Sequence, residues 1–141
     1  MIMPDTNILI YSMDGTARQH RAAKAWLEAA LSGTERIGFA WIALLGFLRI
    51  STQSRLFLNP LSVAEAARLV EKQLASPMAE IIHPGPDHAH LLLRLLAEAG
   101  TAGNLVPDAH LAALAIEHGA ELVTFDRDFG RFTGLRWKLL S

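Results

Sequence analysis

Four aspartates share one kind of position in this sequence, at the edge of an apolar segment: Asp5, Asp108, Asp126 and Asp128. Asp5 and Asp126 each follow a short apolar run, and Asp128 comes two residues later. Asp108 opens an apolar segment with helical spacing, where the helix dipole favours a negative charge. Parallel strands bind ligands at their carboxyl ends. If the two short runs are neighbouring parallel strands, the four carboxylates converge there.

Converging carboxylates repel one another and raise each other's pKa values unless a cation neutralises them. Oxygen donors suit Mg²⁺ or Mn²⁺ better than zinc. In an open acidic site such an ion activates water and stabilises the leaving oxygen of a phosphodiester. Taken singly, each acid also has a simpler interpretation: Asp5 as a turn or N-cap residue, Asp108 as an ordinary first-turn helix acid, and Asp126 with Asp128 as a solvated turn. Only the set indicates a metal-dependent hydrolase.

The elements that would position these acids alternate along the chain, short apolar runs with longer segments of helical spacing. The strands are predicted at 2–4, 36–40, 80–83, 122–125 and 134–140. The helices are predicted from residue 7 and at 17–31, 41–52, 63–75, 87–100 and 106–118. Thr16 is the expected N-cap of the second helix, and Ser62 with Glu65 forms a capping box before the fourth. This alternation predicts one α/β domain, residues 1–141, with a largely parallel sheet.

Composition limits how the chain could meet a nucleic acid. Thirteen basic residues stand against 14 acidic ones, for a net charge of −1. No global basic field is present, so a local patch, a metal or a partner would have to attract phosphates. The absence of cysteine excludes disulfides, zinc thiolate sites and thiol catalysis. The longest apolar run, 39–48, is shorter than the ~20 residues of a membrane span. With no signal-peptide pattern at the start, we expect a cytoplasmic protein with no membrane partner.

The histidines are predicted to lie outside the site. His88 and His90 are two residues apart on one helix, so their side chains point apart and a surface position is favoured for both. His110 follows Asp108 by two residues and should face away from it. Arg49 is a candidate contact for phosphate or for a site carboxylate. A basic helix face could contact RNA or a partner, or could simply be solvated: Arg18, His20, Arg21 and Lys24.

The apolar content exceeds what one small core needs, most clearly at Leu44, Leu45, Leu48 and the run 56–58. A dimer interface or a groove for a partner helix would bury these side chains.

Four segments together carry a family resemblance. Residues 3–9, MPDTNIL, resemble the opening of PIN domains, and residues 106–115, VPDAHLAALA, resemble their central acidic helix. Residues 122–129, LVTFDRDF, are similar to their final motif. Residues 41–52, WIALLGFLRIST, resemble one branch of the VapC toxins of bacterial toxin–antitoxin pairs. The resemblance covers essentially the whole chain.

The resemblance implies a three-layer α/β/α fold with a short, mainly parallel sheet, and a Mg²⁺- or Mn²⁺-dependent endoribonuclease that cleaves tRNA or ribosomal RNA. It further implies a homodimer and neutralisation by a cognate VapB-type antitoxin. The family's catalytic, metal-binding acids fall on Asp5, Asp108 and Asp126, with Asp128 as an additional metal ligand. Asn7 and Thr124 match polar positions that orient a carboxylate or a metal-bound water.

One position departs from the family pattern. Many PIN domains carry a glutamate in the helix after the second strand, where this chain has Gly46, and no acid occurs between Glu35 and Glu65. This departure keeps an alternative open: a weak or silent PIN domain that acts by binding its antitoxin or RNA. Without a metal-binding side chain, Gly46 would mark close packing of the backbone. With one acid fewer than the family pattern, we expect the site to bind a single ion. A haloacid-dehalogenase-like phosphatase is a more distant alternative, since it needs a second aspartate where this chain has Asn7.

Overall fold

Five short strands form one sheet in a computed structural model that describes residues 1–141. The strands are β1 (Ile2–Pro4), β2 (Ile37–Ala40), β3 (Ala79–Ile82), β4 (Glu121–Thr124) and β5 (Arg136–Leu139). Their order is β3-β2-β1-β4-β5, and every neighbouring pair is parallel. The predicted parallel sheet is therefore confirmed, with each strand at its predicted place in the chain.

The strand order reverses between β1 and β4. The chain first builds the sheet outward from β1 through β2 to β3, and then returns to add β4 and β5 on the other side of β1. Such a reversal opens a crevice at the carboxyl ends of the two central strands, where open parallel sheets bind ligands. Pro4 pairs with Val123, so Asp5, the first residue after β1, lies beside Thr124, the last residue of β4.

Helices cover both faces of the sheet. They are α1 (Thr6–Met13), α2 (His20–Leu31), α3 (Trp41–Ser51), α4 (Val63–Leu74), α5 (His88–Ala99) and α6 (Val106–Glu117). Helices α1 to α4 pack around one core that includes Leu9, Phe39 and Phe47. Helices α5 and α6 pack around a second core that includes Leu95 and Leu122. The three-layer α/β/α arrangement is thus confirmed. None of the helices combines the length and the hydropathy that a bilayer-spanning segment needs.

The two predicted helix starts have different outcomes. The capping box before α4 is confirmed: the Glu65 N–H donates to Ser62 Oγ at 3.1 Å, and the Ser62 N–H donates to Glu65 Oε1 at 3.1 Å. The prediction for α2 is wrong, because that helix begins at His20. Thr16 does not cap it, since the Thr16 N–H and hydroxyl both donate to Asp14 Oδ1 and close a local turn.

The apolar surplus is smaller than the sequence suggests. Leu44 and Phe57 were expected to need an outside partner, but both are buried in this chain, at 0% and 5% exposure. Leu45, Leu56 and Leu58 are more than half exposed, and Trp41 is 45% exposed. Trp41 and Leu45 stand one turn apart on α3 and therefore share a face of that helix.

Candidate active site

Asp5 is fixed at the end of β1 by bonds to both of its carboxylate oxygens. Oδ1 accepts from the Thr6 N–H at 2.6 Å, which makes Asp5 the N-cap of α1, and Oδ2 accepts from the Thr124 hydroxyl at 2.7 Å. The Asp5 N–H donates to the Val123 carbonyl at 2.9 Å and so continues the β1–β4 pairing. With 8% exposure, the carboxylate has little freedom to turn.

Thr124 joins the two strand ends through one hydroxyl group. Its Oγ1 donates to Asp5 and accepts from Asn7 Nδ2 at 3.2 Å and from the Asp126 N–H at 3.0 Å. A hydroxyl has one donor and two acceptor sites, so Thr124 uses its full capacity here. Asn7 Oδ1 also accepts from the Phe125 N–H at 3.3 Å. The structure thus brings together Asp5, Asn7, Thr124 and Asp126 as the sequence predicts.

Asp126 and Asp128 lie in the turn that leaves β4. Asp126 Oδ1 accepts from the Asp128 N–H at 2.8 Å and begins a short 3-10 helix, Arg127–Arg131. Asp128 is exposed and pairs with Arg131 at 3.8 Å. The structure places both acids in a turn, but only Asp128 is exposed to solvent, whereas Asp126 is half-buried.

Asp108 approaches the same crevice from the first turn of α6. It is half-buried, and burial is the main reason that its pKa rises to about 6. The negative charges of Asp5, Asp126 and Asp128 raise this pKa further, and Arg131 opposes them. Three acids that are distant in sequence thus act on Asp108, which makes the four carboxylates one electrostatic cluster.

The pKa of Asp5 is also affected by this cluster, but hydrogen bonds oppose the shift. Burial raises its pKa, the hydrogen bonds from Thr124 and Thr6 lower it, and the charge of Asp126 raises it again. The net shift is upward. Ionisation of Asp5 is therefore less favourable here than in water, although its carboxylate accepts hydrogen bonds from Thr6 and Thr124.

Gly46 packs against the residue that follows Asp5. A Cβ atom at position 46 would stand 2.8 Å from Cγ2 of Thr6 and 3.2 Å from its Oγ1. Real Cβ atoms essentially never approach another atom as closely as the first of these distances. The predicted close packing at Gly46 is confirmed: α3 contacts the start of α1 where a larger side chain would push on Thr6.

The predictions for the histidines and for Arg49 have different outcomes. His88 does not lie on the surface: it is 8% exposed, and its Nε2 stands 2.9 Å from Nδ1 of His110 on α6. His90 is exposed, as predicted. Arg49 is exposed on α3, and the arginine that pairs with a site acid is Arg131. Sequence reasoning missed Arg131, although its three-residue spacing from Asp128 is typical of a helical ion pair.

The structure contains no group of three or more histidine or acidic side chains that could hold a metal ion together as they stand. The four carboxylates therefore do not form a closed coordination cluster in this arrangement. The donors that face the crevice are aspartate oxygens, which are typical ligands of Mg²⁺ and Mn²⁺.

Comparisons with known proteins agree with this architecture. The family model described as "PIN domain" matches residues 2–135. Ribonuclease VapC37 of Mycobacterium tuberculosis is 47% identical, over 97% of this chain and 95% of the relative. Ribonuclease VapC33 of the same species is 42% identical, over 97% and 96%.

Solved structures share the fold at lower sequence identity. VapBC2 from Rickettsia felis, bound to a DNA fragment from its promoter, superposes with a TM-score of 0.73 and 22% identity over the full length of both chains. Mycobacterium tuberculosis VapC20, described as a Sarcin-Ricin loop cleaving toxin, has a TM-score of 0.67 and 17% identity, over 96% of this chain and 99% of that one.

Proposed function

This chain belongs to the PIN-domain family of VapC ribonucleases, and we propose that it is the toxin of a toxin–antitoxin pair, an endoribonuclease that hydrolyses phosphodiester bonds within RNA. The observation that carries the proposal is that Thr124 joins Asp5 and Asp126 at the β1–β4 crevice, with Asp108 near enough for their charges to raise its pKa. The relatives that match nearly all of the chain are named ribonucleases. They favour an active enzyme over a silent binding domain, and tRNA or ribosomal RNA is the proposed substrate.

Mg²⁺ or Mn²⁺ is the proposed cofactor, and the donor set fits it. Mg²⁺ is usually bound directly by one or two carboxylates and keeps several waters, so the acids of the crevice can hold it partly through water without forming a closed cluster. Burial and neighbouring negative charges raise the pKa values of Asp5 and Asp108, and a bound cation would offset both effects. Asp5, Asp108 and Asp126 would hold the ion, with Asp128 as an additional ligand. When bound, the ion supplies positive charge that activates water and stabilises the leaving oxygen.

The chain's own residues keep the carboxylates in place for this chemistry. The Thr6 N–H and the Thr124 hydroxyl fix the orientation of Asp5. Asn7 donates to Thr124 and keeps that hydroxyl aimed at Asp5. Gly46 lets α3 approach Thr6 closely, and so supports the same end of α1. The acids of this arrangement come from the strand ends and from α6, and none comes from α3.

The partners we propose are a VapB-type antitoxin and a second copy of the chain. Solved structures of the same fold include toxin–antitoxin complexes. Trp41 and Leu45, about half exposed on one face of α3, are apolar surface that such a partner would bury. Light scattering at micromolar concentration should show a dimer, and a monomer would contradict this part of the proposal. A toxin that cleaves tRNA or ribosomal RNA acts in the cytoplasm, where these RNAs are found.

The direct test is cleavage of total tRNA and ribosomal RNA by the purified chain with Mg²⁺, with Mn²⁺ and with EDTA. We expect discrete fragments that need the metal and that disappear in Asp5→Asn. Asp87→Asn is the matched control, because it removes the same charge at an exposed residue before α5 and should cleave normally. Fragments that persist in Asp5→Asn would contradict the proposed site, and a folded wild-type chain that cleaves neither RNA would favour the silent-domain alternative.

A further inference from the structure

A cavity of about 470 Å³ lies beside the acidic crevice. Its walls come from three places: Arg18, Gln19 and Ala22 around the start of α2, Phe125 and Arg127 after β4, and residues 139–141 at the end of the chain. Phe125 and Arg127 are the two neighbours of Asp126. The cavity therefore borders the turn that carries Asp126, a proposed catalytic acid. We refer to it as the arginine cavity.

The two arginines of the arginine cavity are exposed and have no carboxylate partner. The ion pairs that arginines make in this structure use Arg36, Arg94 and Arg131 instead. A guanidinium group can hold a phosphate through two parallel hydrogen bonds and keeps its charge at any physiological pH. Arg18 and Arg127 thus present two available positive charges next to a cluster of acids that would otherwise repel phosphates.

Four of the other six residues that line the cavity are apolar, and one of these is aromatic. The ring of Phe125 is half-buried and meets the ring of Tyr11 edge to face, with centroids 5.5 Å apart and planes at 77°. This contact fixes the orientation of Phe125. Leu139 and Ala22 extend the apolar surface. Aromatic side chains provide stacking surfaces for nucleobases with little sequence preference.

We propose that the arginine cavity binds the nucleotide next to the scissile bond of the RNA, with the phosphate on Arg18 and Arg127 and the base against Phe125. The proposal rests on the ribonuclease function proposed above. The cavity volume lies within the ~300–1,000 Å³ range of small-ligand sites. Its charge and its aromatic wall match the two parts of a nucleotide. It also answers how a chain with a net charge of −1 can attract RNA.

Binding of a fluorescein-labelled, single-stranded RNA oligonucleotide in EDTA tests the proposal without cleavage. We expect fluorescence anisotropy to show about a tenfold weaker Kd for R18Q/R127Q at low salt. The slope of log Kd against log salt should fall by about 1.4, because each phosphate contact on a single strand contributes ~0.7. The matched control is R68Q/K72Q on α4, which removes two exposed charges elsewhere and should bind nearly as the wild type does.

A third variant separates the base from the phosphate. Phe125→Leu keeps an apolar side chain but removes the stacking ring, so Kd should weaken by about tenfold while the salt slope stays unchanged. Thermal melting of each variant verifies that it folds. Adenosine monophosphate serves as a competitor: if it displaces the oligonucleotide at concentrations close to the oligonucleotide's own Kd, the cavity is a site for free nucleotides and the proposal is wrong.

The results also separate this proposal from the ribonuclease function. Equal losses in R18Q/R127Q and R68Q/K72Q would show that only overall charge matters and would overturn the arginine cavity. Unchanged binding in R18Q/R127Q, or no binding of the oligonucleotide by the wild type, would overturn it as well. In each case metal-dependent cleavage that disappears in Asp5→Asn would still support the ribonuclease function.

Discussion

The two sides of the acidic crevice are built differently. On the sheet side, Asp5 and Asp126 belong to one hydrogen-bond network with Thr124 at its centre. On the helix side, Asp108 is influenced by burial and by charge alone. Hydrogen bonds therefore set the geometry of the sheet side, whereas burial, and after it repulsion, raises the pKa of Asp108 on the helix side. A cation would change Asp108 most, because only Arg131 opposes the burial and repulsion that raise its pKa.

The difference follows from how each side is held in the fold. The pairing of Pro4 with Val123 brings the next residues together and leaves their side chains within bonding distance. Asp108 instead belongs to α6, which is positioned by its packing against α5 and the second core. Packing of apolar side chains is not directional, so it brings Asp108 near the crevice without providing a hydrogen-bond donor for it.

Removing the charge on the helix side should have the largest effect. We expect Asp108→Asn to lower the cleavage rate on the order of 100-fold or more, as is typical for the loss of a group that organises charge in a reaction. In EDTA at pH 7 the same variant should be more stable than the wild type, because the repulsion disappears. Cleavage assays and denaturant unfolding measure the two effects. A variant that is both inactive and less stable would show that Asp108 is structural.

Breaking the sheet side should instead cost stability and activity together. Thr124→Val keeps the shape of the side chain but removes the hydroxyl that bonds to Asp5, Asn7 and Asp126. Unpaired buried polar groups cost about 1–3 kcal/mol each, so we expect the free energy of unfolding to fall by ~2–3 kcal/mol. Thr124→Ser keeps the hydroxyl and serves as the control. Similar unfolding curves for the valine and serine variants would disprove the central role of this hydroxyl.

The contact between α3 and the start of α1, which lies next to Asp5, can be tested at Gly46. In an open helix Gly→Ala stabilises by ~1 kcal/mol, but here the new Cβ would meet Thr6 Cγ2 at 2.8 Å. We therefore expect Gly46→Ala to destabilise the chain by ~1–2 kcal/mol. In a Thr6→Ser background, which lacks Cγ2, the penalty should largely disappear. Equal penalties in both backgrounds, measured by urea unfolding, would contradict the contact.

The smallest predicted effect is the pH dependence of stability without divalent ions. The pKa of Asp108 is about 6 in the folded chain, against an ordinary value of 3.8 for an aspartate. Between about pH 4 and pH 6 the folded chain therefore keeps a proton that the unfolded chain has released, and this contribution to stability is lost as the pH rises. Because the group is half-exposed, the change should be only about 1 kcal/mol. Asp108→Asn should reduce this slope, and an unchanged slope would contradict the shift.

The sequence was sufficient for the order of elements and for the acids at strand ends. Alternation of short apolar runs with helical spacing predicts the parallel sheet, and the carboxyl-end rule then predicts the convergence of Asp5 and Asp126. The predicted start of α2 is wrong because a local hydrogen bond between Thr16 and Asp14 competes with helix capping. The burial of His88 and Leu44 depends on which helices pack together, and periodicity within one helix does not show this.

The contact between Gly46 and Thr6 illustrates the same limit. The sequence suggests close packing at a helical glycine, but only the fold shows that the neighbour is the residue after Asp5. Arg131 is similar, since its effect on Asp108 depends on the position of α6 relative to the turn after β4.

Calorimetric titration of Mn²⁺ into the chain at pH 6, in buffers with different ionisation enthalpies, tests the central claim most directly. If Asp108 completes a cation site with Asp5 and Asp126, Mn²⁺ should bind and displace the proton that Asp108 holds near its pKa of about 6. Proton release should decrease at pH 8. Asp108→Asn should bind Mn²⁺ more weakly than the wild type does, and its binding should release no proton from position 108. Equal affinity and equal proton release in the wild type and in Asp108→Asn would contradict the account.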